Sequence, residues 1–205
     1  MTLRHVFADD VSELPTNAFG HRSLTWWGVI GFMVIEGTAF GLVFATYFFL
    51  MSHEQHWAPQ PLLPPNPLGG TLFTIIILAT EIPNTMIKKA AEKYDLATVR
   101  RLLPWMVGVP LLLFVLRGFE FNSLNVNWYD NAYGSVLWAL LVLHTTHIGT
   151  DWVDTVVLWR LMMTPHGEEP RRFSDIDENS LYWRFVWLAW LPIYLLIYLV
   201  PRLFR

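Results

Sequence analysis

The sequence predicts an all-α fold: a polytopic membrane bundle of five transmembrane helices, N-terminus in the cytoplasm and C-terminus in the periplasm. Three observations lead there. The first is composition: 54% of the 205 residues are hydrophobic, with 11 Trp and 14 Phe, and only 15% are charged. A soluble chain of this size cannot cover so much apolar surface with so few charges, whereas lipid-facing helices need no such cover. The second is the presence of five apolar stretches, each long enough to cross about 30 Å of hydrocarbon, which takes about 20 helical residues. The third is a one-sided distribution of basic residues.

In chain order, a polar tail over residues 1–23 carries Asp9, Asp10, Glu13, Pro15 and Asn17. It lacks the apolar core of a signal peptide, so insertion is expected from the internal spans. The rest, 24–205, reads as one transmembrane domain. Its spans, A to E, are placed at Leu24–Leu50, Gly69–Ile87, Leu102–Phe121, Ala132–Trp159 and Leu181–Leu199. Pro83, Pro104, Pro110 and Pro192 fall within or at the ends of spans, which membranes tolerate when neighbours satisfy the freed carbonyls. A proline-rich segment, Pro59 to Pro67, joins A to B and suits neither helix nor strand. A basic turn, Lys88 to Arg101, joins B to C, and a polar loop over Thr164–Ser180 is expected between D and E. No internal repeat is present.

Orientation follows from the preference of Lys and Arg for the cytoplasmic side. Eleven basic residues flank one side: Arg4, Arg22, Lys88, Lys89, Lys93, Arg100, Arg101, Arg160, Arg171, Arg172 and Arg184. Only Arg117, Arg202 and Arg205 are assigned to the other. The net charge of −3 offers no basic stripe for nucleic acid. The absence of cysteine removes disulfides, thiolate nucleophiles and Cys-ligated metals.

An ionisable group inside a membrane needs a partner or a task. Glu36 lies about 12 residues into span A, near the bilayer midplane. It reads either as a proton-linked carboxyl or as an acid hydrogen-bonded across a helix interface. Gly37, Gly41 and Ala45 form a stripe of small residues that suits close helix packing. Span D carries His144, His147, Asp151 and Asp154 along one face. Two His and two carboxylates could ligate a metal, but one helix rarely supplies a whole site. A hydrogen-bonded network, with Arg184 of span E at similar depth, is the preferred reading, and no metal is assigned. Glu81 is expected to reach towards the inner interface, and Glu120 to pair with Arg117 three residues before it. Trp26, Trp27, Trp128, Tyr129, Tyr182 and Trp183 read as an interfacial aromatic belt.

Four stretches in order resemble subunit III of the haem–copper oxidases, in a short five-helix form. Ile35-Glu36 followed by Phe40, Phe44-Ala45 and Tyr47-Phe48 is similar to that family's glutamate-bearing helix. The turn Lys88–Arg101 leading to Phe119-Glu120-Phe121 resembles the next block. Ala132-Tyr133-Gly134-Ser135 followed by His144-x-x-His147 is similar to its histidine-bearing helix. Tyr182-Trp183-x-Phe185-Val186 and Trp190, then Tyr194 and Tyr198, resemble its closing helix. Arg184 and Trp187 stand where the family has His and Asp, and Asp151 and Asp154 fall outside its pattern. A re-pairing of Arg184 with an aspartate of span D is expected to accommodate them.

The resemblance implies a non-catalytic subunit of a respiratory terminal oxidase in a bacterial inner membrane. It implies packing on the catalytic subunit I, with subunit II in the same complex, phospholipid held between helices, and support of proton uptake and stability. Haem and copper are expected in the catalytic partner and not on this chain. Glu36, Glu120, His144 and His147 are the residues expected to carry the supporting network. Two alternatives of other kinds are an accessory subunit of a nitric oxide reductase-type complex and a small proton-linked transporter. A histidine-box metalloenzyme would need more His clusters than the single HxxH in a span.

Overall fold

The structure, a computed structural model, describes residues 24–204; the tail expected over residues 1–23 lies outside the described residues. All the secondary structure described is helical. α1 runs Leu24–Met51, α2 Pro67–Ala79, α3 Glu81–Glu92, α4 Leu96–Asn122, α5 Ala132–Met162, α6 Pro170–Tyr194 and α7 Val200–Leu203. These make five rods, because α2 and α3 form one continuous span and α6 continues through Leu195–Leu199 into α7.

Four of the rods are long and apolar enough to cross a membrane: Leu24–Met51, Pro67–Glu92, Leu96–Asn122 and Pro170–Leu203. α5, with 31 residues, is also long but more polar, and it carries Asp151, Asp154 and Arg160. Several of its polar side chains turn towards other helices. α5 packs against α4, α6 and α1, and buries His144, His147, Asp151 and Thr155 with its apolar core residues. Helix-facing polar groups of this kind can find partners that lipid cannot offer.

The α2–α3 rod, α4, α5 and α6 pack in a ring in which each touches its neighbours. α1 lies outside that ring, against α5 and α6. It buries only Phe40 and Tyr47 and turns most of its apolar side chains outward.

The helix ends have local causes. Asn66 caps α2 by accepting from the Leu68 amide, with Pro67 at the first position, where a missing N–H costs nothing. Pro83 cannot donate to the carbonyl of Ala79, and the rod breaks at Thr80 between α2 and α3. Asp95 caps α4 by accepting from Thr98, whose hydroxyl and amide hold the carboxyl below its ordinary range. α5 starts at Asn131, which accepts from the Gly134 amide. At its far end the Arg100 side chain donates to the carbonyls of Met162 and Thr164.

Two expected boundaries are corrected. Most of the basic turn expected over Lys88 to Arg101 is helix: α3 runs to Glu92 and α4 starts at Leu96, so only residues 93–95 connect them. Span E does not begin at Leu181: the polar stretch expected to be a loop is mostly the first turns of α6, preceded by a short 3-10 turn at Pro165–Glu168. Phe173 and Ile176 bury one face there, while Arg172 pairs with Asp175 and Lys88 with Asp177 on the others. A polar helix face supported by pairs reads as loop on hydropathy alone. Towards its other end the same rod widens into a π turn over Leu195–Leu199. The Val200 amide bonds back to Leu195, and Pro201 has no N–H to offer Leu196. The Tyr47 hydroxyl donates to the Leu196 carbonyl instead, at 2.5 Å, and itself accepts from Trp57 Nε1 at 2.6 Å. This bond ties α1 to the far end of the bundle.

Candidate functional site

The polar stripe of α5 is shared among three separate networks, and a fourth joins α3 to α6. The most deeply buried centres on Arg117, which is 2% exposed and paired with Glu120, 0% exposed, at 2.5 Å. Arg117 also donates from Nη2 to His144 Nδ1 at 2.9 Å. That nitrogen is therefore the acceptor, and Nε2–H of His144 donates to the Val186 carbonyl at 3.0 Å. The tautomer of a neutral imidazole is thus set by its two neighbours. Tyr198, placed by the π turn, donates to the second oxygen of Glu120. The guanidinium lies over the rings of Phe73, at 3.9 Å, and Trp190, at 4.5 Å.

In the second network Glu36 bridges α1 to α5 and α6. Tyr182 donates to its Oε2 at 2.6 Å, and His147 Nε2 lies 3.3 Å from its Oε1. His147 Nδ1 faces the Leu143 carbonyl at 2.6 Å and must carry a hydrogen there. Nε2 and Glu36 therefore share one further hydrogen, as imidazolium with carboxylate or as imidazole with carboxylic acid.

The third network lies one to two turns along α5. Asn179 donates to Asp151 at 3.3 Å and to Asp154 at 3.1 Å, while its oxygen accepts from Thr155. Asp151 is buried and Asp154 exposed. Both line a cleft of roughly 1260 Å³ between the start of α1, the second half of α5 and the first half of α6. Leu24, Val29, Phe32 and Leu161 give the cleft apolar walls, and Arg171 and Arg172 add basic groups beside the acids. Tyr182 lines its inner end, so the cleft leads to the Glu36 contact.

The fourth network joins α3 and α6. Arg184 donates to Glu81 from Nε and Nη2, Thr85 donates to the same oxygen, and Asn84 and Trp187 donate to the other.

Several expectations are corrected by this geometry. Arg184 pairs with Glu81 and not with Asp154, whose partner is Asn179. Glu81 is thus held laterally and does not reach for the inner interface. A double-mutant cycle in the folded complex should show it. Glu81→Gln and Arg184→Gln are expected to couple by about 0.5–3 kcal/mol, whereas Asp154→Asn and Arg184→Gln should add within about 0.5 kcal/mol. His144, His147, Asp151 and Asp154 share a face but do not converge on one point. Glu36, His147, His144 and Glu120, expected to act together, fall into two networks. The Glu120–Arg117 pair stands as expected, but Arg117 is a buried centre of the bundle and not a flanking charge. A side chain at Gly37 would meet only the Phe185 ring, at 4.0 Å, and one at Gly41 nothing within 4 Å, so among the described residues no helix packs closely against these two glycines. Tyr182 and Trp183 are not belt residues: both are buried, and Trp183 donates to Thr80 at 2.8 Å.

Sequence alone singles out neither Asn179 as the partner of Asp151 and Asp154 nor Tyr198 as the partner of Glu120. Asn179 sits in a stretch that hydropathy classes as loop, and Tyr198 depends on the π turn. Two acids in α5 with no nearby base are the one signal that an amide donor is needed.

Comparison with known proteins adds a second line. The family model described as cytochrome c oxidase subunit III matches residues 12–201. Among curated relatives, cytochrome c oxidase subunit 3 of Synechocystis sp. is 23% identical over 182 residues, covering 88% of this chain and 78% of the relative. That of Thermostichus vulcanus is 22% identical over 193 residues, covering 91% of this chain and 92% of the relative. That of Myxine glutinosa is 26% identical over 201 residues, covering 92% and 76%.

Proposed function

The chain belongs to the cytochrome c oxidase subunit III family of the haem–copper oxidases, and on that premise we propose that it is the non-catalytic membrane subunit of an oxygen-reducing terminal oxidase. The match across residues 12–201 is the observation that carries this reading. In it, all five rods cross a bacterial inner membrane, with the start of α1 on the cytoplasmic side. The subunit packs on the catalytic subunit, which holds the haem and copper, and subunit II completes the core of the complex. The relatives' names favour an oxidase over a nitric oxide reductase or a transporter.

Two roles of this chain's own residues follow. The cleft between α1, α5 and α6 suits a phospholipid, with apolar walls for acyl chains and Arg171 and Arg172 for the phosphate. The Glu36–His147–Tyr182 contact holds an exchangeable hydrogen at the inner end of that cleft, which fits a supporting part in proton uptake.

The test is purification of the tagged chain from mildly solubilised membranes with a visible spectrum of the eluate. Haem bands with a large co-purifying polytopic subunit and oxygen consumption are expected. A colourless, solitary protein overturns the reading. In the same preparation Glu36→Ala should leave the initial rate unchanged and shorten the number of turnovers before inactivation. Glu36→Gln, which keeps a hydrogen bond but cannot exchange the proton, should do the same. Full rescue by Gln would reduce Glu36 to a packing residue.

A further inference from the structure

The Glu81–Arg184 pair lies within two long apolar helices, Pro67–Glu92 and Pro170–Leu203, yet is open on one side. Lys88 and Asp177 form an ion pair at 2.7 Å between α3 and α6, towards the side that the proposed orientation assigns to the cytoplasm. Glu81 is seven residues before Lys88 on α3, and Arg184 is seven residues after Asp177 on α6. Both helices therefore place the pair about 10 Å further in, at 1.5 Å per residue. At that depth Arg184 is still 34% exposed and Glu81 27%.

The hydrogen bonding is lopsided. Both oxygens of Glu81 are occupied, one by Arg184 and Thr85 and the other by Asn84 and Trp187. Arg184 uses Nε and Nη2, while among the described residues Nη1 has no acceptor. The patch is donor-rich, and acyl chains offer no acceptor. Around it Ile82, Met86 and Leu188 turn apolar side chains outward.

We propose that this face of α3 and α6 is covered by a membrane-spanning helix of a neighbouring subunit. That helix is apolar along most of its length and presents one side-chain oxygen, from a hydroxyl, amide or carboxyl group, to Arg184 Nη1. The proposal rests on the oxidase-subunit reading and adds to it which face docks and what chemistry the partner supplies. Removing Nη1 from lipid would account for keeping a guanidinium where an apolar residue would insert at lower cost.

The chain has no cysteine, so single cysteines can be placed at Ile82 and Leu188, with Leu112 and Val115 of α4 as controls on another exposed face. Each is labelled in membranes containing the whole complex with a photoactivatable benzophenone maleimide and irradiated. Adducts with the haem-carrying subunit are expected from Ile82 and Leu188 and not from the controls. Adducts from Leu112 or Val115 alone would leave the subunit reading intact and overturn this face. Adducts between two copies of this chain would overturn it in favour of self-association. No adduct from any position, together with no co-purifying haem, would remove the subunit reading as well. In parallel, Arg184→Met should reduce co-purification of the haem-carrying subunit at least tenfold while the purified chain keeps its helical circular dichroism. Retention equal to the parent would exclude the oxygen acceptor.

Discussion

Replacing Arg117 by leucine is expected to destabilise the bundle by about 3–5 kcal/mol, a larger effect than at any other site of the chain named above. The cause is what remains after the change. Glu120 is wholly buried and would keep only the Tyr198 hydroxyl as a donor. His144 would lose the donor to its Nδ1, and the rings of Phe73 and Trp190 would lose the guanidinium between them. A buried charge without its partner costs far more than the pair contributes when intact. The double change Arg117→Leu with Glu120→Leu is therefore expected to be less damaging than Arg117→Leu alone. Thermal unfolding of the purified complex, followed by loss of helical signal, measures both. If the double variant is as unstable as the sum of the two single ones, the two residues do not act as one unit.

The second large effect should come from a single methyl group. Gly70 of α2 lies directly beneath the Tyr198 ring, and a Cβ there would overlap the ring carbons and hydroxyl. Tyr198 is wholly buried and sits in the π turn, so it has nowhere to move without leaving Glu120. Gly70→Ala is expected to cost about 1–3 kcal/mol for overpacking, and more if the hydrogen bond to Glu120 breaks. The contrast is Gly41→Ala on α1, where a Cβ meets nothing and no more than about 0.5 kcal/mol should change. Equal melting temperatures for the two variants would show that Tyr198 yields freely. A Tyr198→Phe change in the Gly70→Ala background separates the two costs. Little further loss would mean the methyl group had already displaced the hydroxyl.

Arg117 and Glu120 are legible as a pair in the sequence, because three residues apart on one helix is a local relation. That Arg117 also orients His144 is not legible, since the two residues lie on different helices and only the rotation of each about its axis brings them together. The same reason separates Glu36, whose depth follows from its position in span A, from Tyr182, whose inward direction does not. Arg184 is the clearest case. Similar depth makes an aspartate of α5 a reasonable partner, but α6 turns Arg184 towards α3, and Asn179 takes the aspartates. The start of α6 escapes hydropathy, which cannot register that Lys88 and Asp177 neutralise each other across two helices.

The helical class, the long apolar stretches, the residues on each helix face and the family of the chain are all properties of the linear sequence. They depend on length, periodicity and the order of motifs, which are local along the chain. Which acid meets which base is a tertiary outcome. So are the division of the α5 polar stripe among three networks and the wide turn that carries Tyr198 to Glu120. Those results depend on the axial offset and rotation of one helix against another. Apolar lipid scarcely discriminates among such offsets, so they are set by shape and by the need of each buried polar group for a partner.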